Sequence, residues 1–298
     1  EILILGYTPP EYAKELENYN IIQGIVSDEH ALELAENAKN KIRCHVKIDT
    51  GMGRVGLKYK NTSDCANEVK KLIENKKLAV EGLYTHFASA DSDEPEDVEY
   101  TKKQSDYILE VFDILKNHGY TLPHVHFLNS AGACYHNNSR STLARIGITM
   151  YGLHPNYTLA LPYALKPVME LKAIVSQVKI IDKGDFVSYG RTFCASRPTK
   201  IATVTVGYAD GYSRLLSSKG EALVQGIRCK IIGRVCMDQL MLDVSHIGNI
   251  RSGEIVTLIG HDGNDEISAD ELASVYGTIG YEVVCGISKR VPRIYIGE

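Results

Sequence analysis

The sequence predicts an α/β fold in its first half and a mostly β fold in its second half. Up to residue 165, short apolar strands alternate with amphipathic helices. That repeat is typical of a parallel sheet whose strands are connected by helices. From residue 166 onward, short strands follow one another across glycine-rich turns, with a single helical stretch among them. Such a pattern is typical of a β domain.

The strands of the first half are apolar with little alternation, as expected when both faces of a sheet are covered. They read ILILG, IIQGIVSD, RCHVKID, LAVEGLYTHFA and HVHFLNSAG, and STLARIGITMYGL contains one more. Helices are predicted between them, and Ser27 or Asp28 can cap the helix EHALELAENAKNK. A series of βα units suits a barrel, in which catalytic residues collect at the carboxyl ends of the strands.

The second half is predicted to begin after a proline-containing segment, NYTLALPYALKP, that has no clear period. Its predicted strands are AIVSQVKII, KIATVTVG, EALVQG, RCKIIG, QLMLDV, EIVTLIG and RVPRIYIG. One helix, SADELASVYG, interrupts them, with Ser268 as its N-cap. We therefore divide the chain into domains 1–165 and 166–298.

Composition excludes several functional classes. The net charge is −4 over 298 residues and no basic block is present, which argues against nucleic acid or a membrane surface as partner. The seven cysteines are odd in number and none has CxxC spacing. A disulfide framework or structural zinc is therefore not predicted, and a reducing cytoplasm is. No apolar run approaches the roughly 20 residues that span a bilayer.

The segment KIDTGMGRVG, which follows the strand RCHVKID, is the first candidate for chemistry. Its glycines Gly51, Gly53 and Gly56 flank Arg54. Glycine lets the backbone approach a ligand closely, and an arginine in such a turn suits a carboxylate or phosphate. A single glycine-rich turn is a weak signal, and a structural turn is the alternative.

Further polar residues stand at the ends of predicted strands. His86 ends VEGLYTHF, Asn129 ends HVHFLN, and Arg145 begins ARIGITMYG. Ser130 and the backbone of Gly147 and Ile148 could form two lobes of an anion site. The spacing alone favours two tight turns over such a site, and His86 is as readily a loop residue bound to backbone.

The predicted β domain offers a second group of candidates. FVSYGRTF presents Tyr189, and GYADGYSR presents Tyr208. VCMDQLML is unusual as a strand because it places Met237 and Asp238 in an apolar frame; core packing is the alternative for Met237. Tyr281, in GTIGYEVVC, is as readily a half-buried core tyrosine.

Together these segments resemble the alanine racemases, the fold-type III family that depends on pyridoxal 5′-phosphate. KIDTGMGRVG, GLYTHFASAD, FLNSAG, ARIGITMYG, VSYGRTF, VGYADGY, GRVCMDQ and YEVVCGISKRVPRIY match the family pattern in the family order. The resemblance implies a (β/α)8 TIM-type barrel followed by a mostly β domain. It also implies a cytoplasmic homodimer with active sites shared across its interface, which interconverts L- and D-alanine by a two-base mechanism and supplies D-alanine for peptidoglycan.

The same resemblance implies a role for each candidate residue. It implies Tyr189 as the catalytic base on one face of Cα, contributed by the partner subunit, with His86 bridging Arg145 and that tyrosine. It implies Arg54 and the backbone N–H of Met237 as the groups that hold the substrate carboxylate, and Lys47 as a site of carbamylation. The implied cofactor-binding residues are Asn129, Ser130, Arg145, Gly147, Ile148 and Tyr281, and the implied residues at the substrate entrance are Tyr208 and Asp238.

One part of the family pattern has no match in this sequence. The second base of the family is a lysine on the first barrel strand, which also forms the Schiff base with the cofactor, and ILILG matches the third barrel strand. The expectation is therefore that the first two βα units are absent from this chain. The alternatives are a serine or broad-specificity racemase, an inactive fragment or non-catalytic pyridoxal-phosphate-binding protein, and a decarboxylase. An acidic residue would replace Arg145 in a decarboxylase.

Overall fold

The computed structural model describes residues 1–136 and 138–297, which form two compact units. Unit 1 comprises Glu1–Gly147 and Pro155–Tyr163, and unit 2 comprises Ile148–His154 and the chain from Ala164 onward. The domain boundary between residues 165 and 166 stays a prediction. Among the described residues, no helix is long and apolar enough to cross a bilayer.

Unit 1 is built from βα repeats, as predicted. Its strands are β1 (Leu3–Ile4), β2 (Ile22–Ile25), β3 (Ile42–Lys47), β4 (Leu78–Tyr84) and β5 (His124–His126). Its helices are α1 (Ala13–Asn18), α2 (Asp28–Asn37), α3 (Thr62–Glu74), α4 (Pro95–Asn117) and α5 (Ser130–Tyr135). The strands lie in the order β1-β2-β3-β4-β5, and every neighbouring pair is parallel. Parallel pairing follows because each connection between strands carries a helix.

Local sequence explains where the helices begin. The Ser27 hydroxyl accepts a hydrogen bond from the backbone N–H of His30 at 3.1 Å, so Ser27 caps α2. Asn61 caps α3 in the same way through the N–H of Asp64, and Pro95 opens α4 at a position where a missing N–H costs nothing. Buried faces of these helices and the apolar strand residues form one core.

The interior of the unit 1 sheet is polar where the strands end. Lys47, Tyr84 and His126 occupy paired positions on β3, β4 and β5, and each is at most 4% exposed. The Tyr84 hydroxyl donates to the carbonyl oxygen of Leu5 at 2.7 Å. Gly24 makes room for that hydroxyl, because a Cβ there would collide with it and would lie 2.7 Å from the Ile4 carbonyl oxygen.

We expect Gly24→Ala to lower the free energy of unfolding by about 1–3 kcal/mol, the usual cost of overpacking. The added methyl group displaces Tyr84 from its bond to Leu5. Chemical denaturation of the variant measures the loss. Gly6→Ala is the matched control, since a Cβ at Gly6 meets nothing within 4 Å; equal stabilities of the two variants would contradict the prediction.

Unit 2 is mostly β, as predicted. Its strands are β6 (Leu171–Ile181), β7 (Phe186–Val187), β8 (Phe193–Cys194), β9 (Thr199–Val204), β10 (Glu221–Val224), β11 (Ile227–Lys230), β12 (Leu240–Asp243), β13 (Ile255–Asp262) and β14 (Asp265–Ile267). Helices α6 (Ala269–Tyr276) and α7 (Gly280–Gly286) follow. The main sheet runs β11-β10-β13-β6-β9-β12, with β14 paired to β13, and all its pairs are antiparallel. The hairpin of β7 and β8 stands apart from it.

Two predicted strands are not formed, and a third, HVHFLNSAG, ends at His126, before Ser130 begins α5. RVPRIYIG forms no strand over the described residues 291–297, where Pro292 lacks a donor for a ladder and Ile294, Tyr295 and Ile296 are 84–92% exposed. STLARIGITMYGL contributes a single parallel bridge, between Ala144 and Leu128, instead of a strand. Its later part forms a short 3-10 helix, Ile148–Tyr151.

Candidate active site

Arg145 is the most firmly held of the predicted site residues of unit 1. One guanidinium nitrogen, Nη1, donates to His126 Nδ1 at 2.8 Å, and Nη2 donates to the carbonyl oxygen of Thr85 at 2.6 Å. The guanidinium also lies 5.7 Å from the centre of the Tyr84 ring. Burial lowers the pKa of Arg145 to about 10, which leaves it charged at neutral pH. The result is a fixed cation with N–H groups to spare.

Three cations converge on His86. Burial first, and then the charges of Arg145, Lys47 and Arg54, lower the pKa of His86 to about 4. The imidazole is therefore neutral near pH 7. No direct hydrogen bond joins His86 to Arg145 among the described atoms; the Arg145 guanidinium donates to His126 and Thr85. The bridge from His86 to Arg145 stays a prediction.

Lys47 is buried next to these cations. It is 4% exposed, and its Nζ lies 5.5 Å from the centre of the Tyr84 ring. Burial, followed by the charges of Arg54 and Arg145, lowers its pKa to about 8. Within the described ranges no carboxylate forms an ion pair with Lys47. Its amine is thus far more nucleophilic near pH 8 than that of an exposed lysine.

The glycines around Arg54 shape the turn that presents it. The Asp49 carboxylate accepts hydrogen bonds from the N–H groups of Gly51 and Gly53, at 3.1 and 3.0 Å. Both glycines and Gly56 have positive φ, as only glycine readily adopts. Arg54 itself is exposed, and in the described part of the chain its guanidinium makes no hydrogen bond or ion pair. It is available for an anionic ligand.

Asn129 and Ser130 begin α5. The side-chain amide oxygen of Asn129, Oδ1, caps the helix by accepting a hydrogen bond from the Gly132 N–H at 2.8 Å. The Ser130 hydroxyl accepts from Gly147 N–H, also at 2.8 Å. The two predicted lobes, Ser130 and Gly147, are therefore in contact. A Cβ at Gly147 would meet the Ser130 oxygen at 3.6 Å and nothing closer, so the surface beside this pair is open to a ligand.

Tyr189 occupies the tip of the β7–β8 hairpin in unit 2, in a strained turn. Ser188 has φ 69° and ψ 177°, a conformation that is essentially restricted to glycine. Gly190 and Arg191 also have positive φ, 72° and 50°. The Ser188 hydroxyl donates to the Arg234 carbonyl oxygen at 2.8 Å, which helps to hold the turn. The Tyr189 side chain is 73% exposed, and strain of this kind often marks a functional site.

The other candidates of unit 2 form one loop cluster. The N–H groups of Tyr208 and Ala209 donate to the carbonyl oxygens of Cys236 and Met237, both at 3.0 Å. The guanidinium of Arg290 binds the carboxylates of Asp210 and Asp238. The predicted entrance residues Tyr208 and Asp238 are thus held together, with Met237 between them in the same loops and 53% exposed.

Ile148 and Tyr281 lie elsewhere in unit 2. Ile148 is buried and begins the 3-10 helix Ile148–Tyr151. Tyr281 is the second residue of α7 and packs against the core of the unit. Their predicted contacts with the cofactor stay predictions.

The buried histidines His45 and His126, which are hydrogen-bonded in series to Arg145, were not among the residues predicted from the sequence. The signal for them was present: polar residues alternate at positions 45 and 47 of β3 and at positions 124 and 126 of β5. Alternation places such residues on one face of a strand. The apolar residues between them made both strands read as ordinary core.

Comparisons with known proteins identify the family of this chain. The family model "Alanine racemase, N-terminal domain" matches residues 1–155, and "Alanine racemase, C-terminal domain" matches residues 168–295. This chain belongs to the alanine racemase family. Members of that family are isomerases that depend on pyridoxal 5′-phosphate, so the predicted cofactor, enzyme class and alanine racemisation are confirmed at the level of the family.

Individual relatives support the same conclusion. An alanine racemase of Carboxydothermus hydrogenoformans is 42% identical over 299 residues, covering 99% of this chain and 79% of the relative. The crystal structure of alanine racemase from E. faecalis has a TM-score of 0.91 at 35% identity, with 99% of this chain and 78% of that chain covered. The Bacillus anthracis enzyme with bound L-Ala-P has a TM-score of 0.89 at 37% identity, over 99% and 76% of the two chains.

The predicted fold class is confirmed by these matches. The match to the N-terminal domain starts at residue 1, and this chain spans 76–79% of the length of these relatives. The expectation that two βα units are absent from this chain stays a prediction. The alternatives of a decarboxylase or a non-catalytic cofactor-binding protein are not favoured, since the relatives are named alanine racemases.

Proposed function

We propose that this chain interconverts L- and D-alanine with Tyr189 as the base on one face of Cα, and that it supplies D-alanine for peptidoglycan in the cytoplasm. The observation that carries the proposal is Arg145. It is a permanently charged donor, held by His126 and Thr85, with N–H groups left over. A donor of this kind matches a pyridine nitrogen that has to remain unprotonated.

The described residues fit pyridoxal 5′-phosphate. The Ser130 oxygen accepts from the Gly147 N–H at 2.8 Å, so its own hydroxyl proton is left to donate to a phosphate at the open surface beside this pair. Ile148 and Tyr281 would complete that set, and Asn129 would lie beside the ring. When bound, this cofactor withdraws electrons from Cα of the amino acid and so makes the Cα–H bond acidic.

Arg145 limits that withdrawal. Because a guanidinium does not release a proton at neutral pH, Arg145 would donate to the ring nitrogen of the cofactor without protonating it. Negative charge on Cα is then less delocalised, so reprotonation at Cα is favoured over side reactions such as transamination. Weak delocalisation of the negative charge on Cα thus favours racemisation, whereas transamination requires strong delocalisation.

The remaining candidates would bind and orient the substrate. Arg54, which is exposed and without an ion-pair partner among the described residues, would bind the substrate carboxylate together with the N–H of Met237. His86, which is neutral because burial and three cations lower its pKa, would bridge Arg145 and Tyr189. Tyr189 would take the proton from Cα or return it. Tyr208 and Asp238 would line the substrate entrance.

We expect Lys47 to form a carbamate. Its pKa of about 8 leaves a useful fraction of neutral amine, which is the form that adds carbon dioxide. The carbamate would also turn the present repulsion from Arg54 and Arg145 into attraction. Carbon-13 NMR of the protein in labelled bicarbonate at pH 8 should show one carbamate signal that disappears in Lys47→Arg. A signal that survives this substitution, or no signal, would contradict the assignment.

The proposal includes a homodimer in which Tyr189 acts in the active site of the partner subunit. Complementation tests it. Tyr189→Phe and Arg145→Glu should each racemise alanine much more slowly than the wild type, whereas co-refolded equal mixtures should regain up to about a quarter of wild-type activity, because a quarter of the sites then lack both changes. Mixtures that stay inactive while forming dimers would place Tyr189 and Arg145 in the same subunit's site.

A serine or broad-specificity racemase is the alternative racemase, and the relatives, which are named alanine racemases, do not favour it. Comparing kcat/KM on alanine and on serine discriminates the two. Alanine should be preferred. A preference for serine would retain the mechanism and change the substrate.

A further inference from the structure

Two buried histidines connect the interior of the unit 1 sheet to Arg145. His45 lies on β3 and His126 on β5, and both are at most 1% exposed. His45 Nδ1 and His126 Nε2 are 2.8 Å apart. On its other side, His126 Nδ1 is 2.8 Å from Nη1 of Arg145. The two rings and the guanidinium thus form a continuous hydrogen-bonded series.

The chemistry of arginine fixes every proton in that series. Because a guanidinium has donors only, His126 Nδ1 must be the acceptor. The His126 proton is then on Nε2, which donates to His45 Nδ1. The His45 proton is in turn on Nε2. That last N–H is buried and has no partner among the described residues.

The assignment leaves the buried N–H of His45 unpaired, at the cost of its desolvation. The opposite tautomers would face an N–H of His126 against the N–H groups of Arg145 and would remove that hydrogen bond. The assigned order keeps the unpaired donor two rings away from the guanidinium.

Neighbouring residues lock both rings in place. The His126 ring stacks on Tyr84 with an interplanar angle of 3° and centroids 5.1 Å apart. A Cβ at Gly82 would lie 3.1 Å from Cε1 of His45 and 2.8 Å from Cβ of His124. The absence of a Cβ at Gly82 therefore leaves room for His45 and His124. The close packing restricts rotation of the His45 and His126 rings.

Both rings are neutral near pH 7. Burial, and then the charge of Arg145, lower the pKa of His126 to about 2. Burial, and then His124, lower that of His45 to about 4. The charged and titratable groups that act on the two rings are Glu1, Arg43, His45, Glu81, His124, His126 and Arg145.

We infer that His126 and His45 are positioning residues, whose fixed tautomers hold the Arg145 guanidinium as a donor toward the ring nitrogen of the cofactor. The inference rests on the proposed function for the role of Arg145. His45 acts through His126 and touches no ligand. Its loss frees His126 to adopt the other tautomer and so loosens Arg145.

Imidazole nitrogen NMR of the ¹⁵N-labelled full chain tests the tautomers directly. Both His126 and His45 should carry their proton on Nε2 and should not titrate between pH 6 and 9. A proton on Nδ1 of His126, or titration of either ring in that range, overturns the inference. This readout does not depend on catalysis, so it can fail while the proposed function stands.

Two substitutions of His45 test the positioning role. His45→Asn keeps an acceptor near the position of Nδ1, whereas His45→Phe removes it and keeps a ring. The ratio of transamination to racemisation should rise about tenfold in His45→Phe, as expected when one hydrogen bond is lost, and should return to within about twofold of wild type in His45→Asn.

His124→Phe is the matched control. His124 lies on the same face, with its ring centroid 5.4 Å from that of His45, but outside the hydrogen-bonded series. In His124→Phe the ratio of transamination to racemisation should equal that of the wild type. Equal ratios in wild type and His45→Phe, or an equal rise in His124→Phe, would overturn the positioning role. If Arg145→Glu also leaves the ratio unchanged, the proposed role of Arg145 fails instead.

Discussion

Tyr189→Phe is expected to lower alanine racemisation by about 10²- to 10⁴-fold, the usual contribution of a positioned acid–base group. The change removes one hydroxyl group from a side chain that is 73% exposed in unit 2. Because the strain of its turn resides in the backbone of Ser188, Gly190 and Arg191, the substitution should leave the fold and its stability unaltered. Loss of activity should therefore appear in kcat without a change in melting temperature.

Tyr19→Phe is the control for this prediction. Tyr19 is 74% exposed, nearly the same as Tyr189, and lies at the end of α1, outside the candidate site. Its racemase activity should match that of the wild type. If Tyr189→Phe retained activity within about twofold of this control, Tyr189 would not be the base.

Arg145→Glu is expected to slow racemisation and to raise the share of transamination. A carboxylic acid can give its proton to a pyridine nitrogen, whereas a guanidinium does not. With an acid in place of Arg145, more charge would be withdrawn from Cα, so other positions would compete for the returning proton. The substitution also leaves the Thr85 carbonyl oxygen and His126 Nδ1 without their donor, at a cost in stability of about 1–3 kcal/mol per buried group.

Two further variants separate an effect on folding stability from an effect on the ratio of transamination to racemisation. Arg145→Gln removes the charge without supplying an acid, so it should slow racemisation without favouring transamination to the same extent. Arg43→Gln removes a cation that pairs with Glu81 on the same sheet, at 2.7 Å, and should leave the product ratio unchanged. An unchanged ratio in Arg145→Glu would exclude the assigned role.

Much of the fold could be predicted because local and long-range signals agree. Helix caps such as Ser27 and Ser268 act within three residues, so the sequence reports them directly, and both are observed. RVPRIYIG misled because an apolar alternating stretch forms a strand only where a partner strand is available. Ile294 and its neighbours remain exposed in the described chain.

Some features of the candidate site could likewise be predicted from the sequence and others could not. The turn around Arg54 could be predicted since its glycines report positive φ, and all three have it. The turn around Tyr189 could not, because Ser188 adopts a conformation that its own side chain disfavours. His45 and His126 escaped notice because their hydrogen bond joins strands that are separated by 81 positions in the sequence.

An exchange experiment in D₂O tests directly whether this chain racemises alanine with Tyr189 as a base. The purified chain, supplied with pyridoxal 5′-phosphate and L-alanine, is followed by chiral chromatography and mass spectrometry. We expect D-alanine that carries one deuterium at Cα, formed at a rate that Tyr189→Phe lowers by about 10²- to 10⁴-fold, and the same final mixture when the reaction starts from D-alanine. Formation of no D-alanine above the level of that variant would contradict this expectation.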